Sequence, residues 1–127
     1  AYGCFLGCCM SGNIKYDKWI NDDNSENYKC RAWVNFNGTG VVSIRASGGV
    51  SAITDNGVGL YTISFTTDMQ DANYCLAGVA GSGVTTLSNV GQPVTATPPL
   101  VGSVQVNIAF ANGSVFDPPT VNVAIFR

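Results

Sequence analysis

Leu60-Tyr61-Thr62-Ile63-Ser64-Phe65-Thr66 places Tyr61, Ile63 and Phe65 on one side of an extended chain and Thr62, Ser64 and Thr66 on the other. The period is two and the residues are β-branched or aromatic, so the stretch reads as a strand with one face in a core and one in water. Ser103–Phe110 repeats the pattern, with Val104, Val106, Ile108 and Phe110 opposite Ser103, Gln105, Asn107 and Ala109. Thr120–Arg127 does so again, with Val121, Val123 and Ile125 against Asn122 and Ala124. Arg31–Asn37 sets Ala32, Val34 and Phe36 on one side and Trp33 with Asn35 on the other. Asn37-Gly38-Thr39-Gly40 then leads into Val41–Ala46, and Asn-Gly between alternating runs signals a hairpin because both residues tolerate positive φ. Val50–Thr54 and Asn73–Val79 read as further strands, and Val84–Ser88 as a weaker one.

Turn clusters separate these runs at Ser47-Gly48-Gly49, Asp55-Asn56-Gly57, Thr67–Asp71, Ala80–Gly83 and Asn112–Pro119. Asn89–Gly102 has three prolines and no alternation, which makes it a long loop or an edge segment. No segment carries a 3.6-residue period. The fold class is therefore all-β, an antiparallel β-sandwich of about seven or eight strands. Its expected core is Trp33 or Phe36 with Ile44, Ile63, Phe65, Val106, Ile108, Val123 and Ile125.

Composition sets the outer limits. A chain of 127 residues is one domain, large enough to bury a real core. Hydrophobic residues make up 46% and charged residues 11%, too few charges for the flanks of a coiled coil and too many apolar groups for disorder. A net charge of −2 with six basic residues gives little purchase on nucleic acid. No window approaches 18 apolar residues, so no helical membrane insertion is expected. The sequence has no His, which removes the commonest general base and zinc ligand. Asp55, Asp68, Asp71 and Asp117 all fall in expected turns, where Asp normally caps its own backbone. No catalytic residue, cofactor or metal site is expected, and the chain reads as a non-enzyme.

Residues 1–30 differ from the rest. They hold half of the basic residues (Lys15, Lys18, Lys29), the acidic run Asp22–Glu26, and Cys4, Cys8, Cys9 and Cys30. They read as an arm or collar for attachment, with 31–127 as the domain proper. The spacing Cys4-x3-Cys8-Cys9 is not that of a zinc ribbon, and reduced thiols are expected. Cys75 reads as a buried free thiol beside Tyr74. Asp22–Asn27 lacks the ligand order of a calcium loop and reads as a solvated turn.

Several motifs occur together in one order. They are Cys30-Arg31-Ala32-Trp33-Val34-Asn35-Phe36-Asn37-Gly38-Thr39-Gly40, Val42-Ser43-Ile44-Arg45-Ala46-Ser47 and Ser51-Ala52-Ile53-Thr54-Asp55-Asn56-Gly57. Tyr61–Thr67, Asp71-Ala72-Asn73-Tyr74 and the ending Val121–Arg127 complete the set. Over residues 30–127 the chain resembles the C-terminal head domain of tail-fibre and fibre-like proteins of tailed bacteriophages, notably phages of aquatic bacteria. The resemblance implies a trimeric fibre head in the virion that contacts the host surface. The abundance of apolar residues beside so few charges independently points to a buried interface, here a homotrimer. Residues 1–30 would then bind other virion proteins. A capsid or tail decoration or adaptor protein built on the same fold is the alternative.

The outer positions, rich in Thr, Asn, Ser and Gly, form a neutral hydrogen-bonding surface suited to polysaccharide. If eight strands alternate up and down from Arg31, the connections after the first, third, fifth and seventh lie at the end opposite the arm. That argument selects Asn37–Gly40, Asn56–Gly59, Gly81–Gly83 and Asn112–Asp117. The candidate receptor contacts are Asn37, Thr39, Asn56, Ser82, Asn112, Ser114, Phe116 and Asp117, with Phe116 either an aromatic platform or, beside Asp117-Pro118-Pro119, the commoner Phe tucked back against the core.

Overall fold

A computed structural model describes residues 19–81, 88–93 and 96–127. Its strands are β1 (Trp19–Ile20), β2 (Glu26–Asn27), β3 (Cys30–Asn37), β4 (Ser43–Gly48), β5 (Val50–Gly57), β6 (Leu60–Phe65), β7 (Cys75–Gly81), β8 (Ser88–Gly91), β9 (Ser103–Phe110) and β10 (Thr120–Phe126). No helix occurs among the described residues. β1 and β2 pair only with each other. β3 to β10 form two antiparallel four-stranded sheets, A in the order β4-β3-β10-β7 and B in the order β5-β6-β9-β8. The first and last strands of this unit are thus neighbours at the centre of sheet A.

Alternation decides which side of each strand faces in. Ala32, Val34 and Phe36 of β3 and Val121, Val123 and Ile125 of β10 are buried from sheet A. Tyr61, Ile63 and Phe65 of β6 and Val104, Val106 and Ile108 of β9 are buried from sheet B. These twelve side chains, with Met69 and Tyr74, make one core between the sheets. Phe36 meets Tyr61 edge-on across it at 5.2 Å and 71°, the geometry the ring quadrupoles favour. Phe65 meets Tyr74 in the same way at 5.6 Å, and the Tyr74 hydroxyl lies 3.0 Å from the carbonyls of Leu100 and Ser103. Burial pushes the Tyr74 hydroxyl up to about 12. The edge strands contribute less. Val50, Ile53, Leu76, Ala80 and Val90 only lean on the core.

Several sequence expectations are corrected. Trp33 is 45% exposed, because it shares its parity with Arg31 and Asn35 rather than with Phe36. Ile44 lies opposite Phe36 but on an edge strand, and is 40% exposed. Cys75 opens edge strand β7 and is exposed, not buried; Cys30 is exposed as well, and both are free thiols. Asp55-Asn56-Gly57 belongs to β5, and the turn follows at Val58-Gly59. Most of the strand expected at Val84–Ser88 lies outside the described residues, as do 82–87 as a whole, and a strand runs over Ser88–Gly91, three of its four residues within the segment expected as a loop or edge. Its one core contact is Val90, opposite Ile108.

Candidate functional site

Strand direction sorts the connections into two ends. Asn37 pairs with Ser43, Gly57 with Leu60 and Gly81 with Thr120, so the chain leaves β3, β5, β7 and β9 at one end. Cys30, Arg127, Gly49 and Thr67–Asn73 lie at the other.

At the first end a single residue, Asp117, ties three connections through its carboxylate and its backbone carbonyl. Asp117 Oδ1 accepts from the Gly59 N–H and from the Tyr61 hydroxyl, each at 2.8 Å. The Asp117 carbonyl accepts from Thr39 Oγ1 at 3.0 Å. The Tyr61 hydroxyl also reaches the Gly38 carbonyl at 3.0 Å, so its one proton is shared between two acceptors. Burial raises the Tyr61 hydroxyl above the ordinary tyrosine range. The hydrogen bond to Asp117 and the charges of Asp117 and Asp55 add to the rise. The Gly38 N–H donates to Pro118 O at 2.9 Å. Both glycines are sterically required. A Cβ at Gly38 would sit 2.5 Å from the Tyr61 oxygen, and Gly59, at φ +65°, packs against the Ile108 and Phe116 carbonyls.

The expected contact residues divide. Asn37, Thr39 and Asp117 come together here. Asn37 Nδ2 donates to Thr39 O at 2.7 Å, closing its own loop. Asn56 Oδ1 accepts from Thr62 Oγ1 at 2.6 Å, which holds it to β6 and away from Asp117. Asn112 and Ser114 form a separate tip. Asn112 Oδ1 accepts from the Ser114 N–H at 3.0 Å, and an Ala109–Val115 bridge closes the tip behind them. Phe116 stacks on Phe110 at 3.9 Å and 9° and rests, partly buried, against the core. Ser82 lies outside the described residues, as do Cys4, Cys8 and Cys9.

Two concavities lie elsewhere. One of about 380 Å³ sits at the opposite end among Arg31, Thr67, Asp68, Met69, Gln70 and Arg127. Arg127 there makes a two-point pair with Asp71, and Arg31 Nε donates to the Arg127 carbonyl at 2.7 Å. The Arg127 guanidinium and then the Asn73 N–H hold Asp71 down at about 2. The other, of about 330 Å³, opens on the outer face of sheet A between Trp33, Ala77, Gly78, Val79, Asn122 and Ala124. Residue-by-residue reading passed over this hollow, although the parity of Trp33 in Arg31–Asn37 was the available signal. Among the described residues no cluster of three or more Cys, Asp and Glu side chains could hold a metal.

Comparison with protein-family models, with curated proteins and with solved structures finds no match.

Proposed function

We propose that this chain is a fibre-like head of a tailed bacteriophage virion, assembled as a homotrimer, that binds polysaccharide on the host cell surface. The resemblance of residues 30–127 to tail-fibre heads motivates the reading. The observation that carries it is the loop end gathered on Asp117, opposite the end where the arm joins β3. A fixed platform of neutral amides and hydroxyls is what a polyol ligand needs, since ordering loops on binding would consume affinity. Its exposed tip is Asn112–Ser114.

One feature favours the second reading, a particle-bound decoration protein. Trp19, Ile20 and Tyr28, next to or within the small β1–β2 sheet, are all more than half exposed, as a clamp on a neighbouring protein would be. The two readings part in a binding experiment with labelled full-length chain and a panel of aquatic bacteria, followed by sizing of the surface glycan. An adhesin binds cells without shortening the glycan, and Asn112→Ala combined with Ser114→Ala lowers that binding. Binding to phage particles but to no cell would replace the adhesin by the decoration protein. Shortened glycan would make the chain a depolymerase.

A further inference from the structure

Directly opposed residues of an antiparallel sheet share a face. On the outside of sheet A this gives two central rows across all four strands. One is Ala46, Asn35, Asn122 and Val79; the other is Gly48, Trp33, Ala124 and Ala77. Beyond them Phe126 stands between Cys30 and Cys75. Neither row contains a charged residue. The rim arginines are turned inward on their own chain, Arg45 to Pro119 O and Asn35 Oδ1, Arg31 to Arg127 O.

We infer that the outer face of sheet A, with Trp33 and the hollow over Ala77 and Ala124, is the contact between copies of this chain in a closed three-fold ring. The inference rests on the homotrimer in the proposed function and assigns its surface. Three observations point to a second copy rather than another partner. The face holds both a projection and its receptacle. Trp33 lies over Gly48, where a Cβ would strike its indole, and this leaves the floor of Ala124 and Ala77 open. The residues of the central rows carry no charge of their own, so identical faces meet there without like-charge repulsion. The polar groups at the centre are the amides of Asn35 and Asn122, where Asn35 Nδ2 donates to Asn122 Oδ1 at 2.5 Å and Arg45 donates to Asn35 Oδ1 at 3.4 Å, leaving the Asn122 amide nitrogen facing outward. An amide both donates and accepts, so it can pair with its own kind and fix register, as a buried Asn does in a coiled coil.

Sedimentation of the full chain at micromolar concentration tests this. The wild type is expected at three chain masses, and Ala124→Glu and Val79→Asp at one, a threefold drop, with the strand circular dichroism unchanged. Thr62→Glu, on the outer face of sheet B, stays at three. If the face variants remain trimeric, the interface lies elsewhere and the inference falls while the homotrimer stands. A wild type at one chain mass removes both. A readout needing no face variant uses Trp19→Phe, which leaves Trp33 as the only indole. Its emission is expected to shift to the red as dilution dissociates the trimer. A falling mass with constant emission would place Trp33 outside the contact and overturn the inference.

Discussion

The middle outward positions on β6 and β9 are Thr62, Ser64, Ser103 and Gln105, with Leu60, Asn107 and Ala109 beyond them, whereas on β3 and β10 the middle ones are Trp33, Asn35, Asn122 and Ala124, with Arg31, Asn37, Thr120 and Phe126 beyond. Both strand pairs sit at the centre of a four-stranded sheet and feed the same core. At its middle, sheet B has the polar exterior that alternation leads one to expect of a half-solvated sheet. Sheet A carries an aromatic ring, alanines and a glycine there, and Val79 at its edge is 64% exposed. The inward pattern makes the fold; the outward pattern is free of that duty and records what each face meets.

The largest test treats the inner faces as equivalent. Ile63→Ala in sheet B should cost about 2–5 kcal/mol and Ile125→Ala in sheet A a similar amount, read from urea midpoints of the two variants. A twofold disparity would show that the sheets are not equal partners in the core. The Asp117 anchor comes next. Tyr61→Phe removes a hydroxyl that serves Gly38 O and Asp117, and should cost about 1–2 kcal/mol. The raised hydroxyl gives a signed pH effect. Its stabilisation is complete below the unfolded tyrosine value of about 10 and is lost as pH rises beyond it, because the unfolded chain ionises first. Tyr61→Phe should therefore flatten the alkaline limb of a stability–pH curve, leaving the smaller slope due to Tyr74.

Much of the comparison was legible in the sequence. All four central strands follow from alternation of Val, Ile, Phe and Tyr, and the register of Ala32, Val34 and Phe36 already put Trp33 outside. Of the alternatives Trp33 or Phe36 for the core, parity with Ala32 and Val34 selects Phe36. The edge strands were harder. β8 buries against the core only through Val90, and β4 carries Arg45 as an extra residue where the pairing to β3 shifts, which blurs its period. The role of Asp117 was not readable. Its side-chain bonds run to residues 56 and 58 positions away, and no local pattern encodes such a meeting.

Two smaller predictions sharpen the contrast. Trp33→Ala should leave the stability of the separated chain within about 0.5 kcal/mol of wild type, as should Thr62→Ala. Only the former should abolish the rise of Tm with protein concentration that assembly produces. A concentration-dependent Tm in both variants would dissolve the distinction between the two exteriors. The smallest effect concerns the far end. Asp71 is lowered to about 2 by Arg127, so its contribution is present above the unfolded value of about 4 and is lost as pH falls from there toward 2. Asp71→Asn should make acid unfolding shallower in that window, followed by circular dichroism.

The tip at Ala111–Ser114 has a consequence for how such a chain changes over time. The Ala109–Val115 bridge seals it from behind, and Phe110 N–H and Gly113 N–H complete its bonds to Ser114 O and Phe110 O. Its side chains take no part in the core. Doubling the length of a flexible loop costs only about 0.6 kcal/mol. Insertions and substitutions can therefore accumulate here while Asp117, three residues beyond Ser114, continues to hold the neighbouring loops. A lineage of such proteins can vary in this one short tip and inherit everything behind it unchanged.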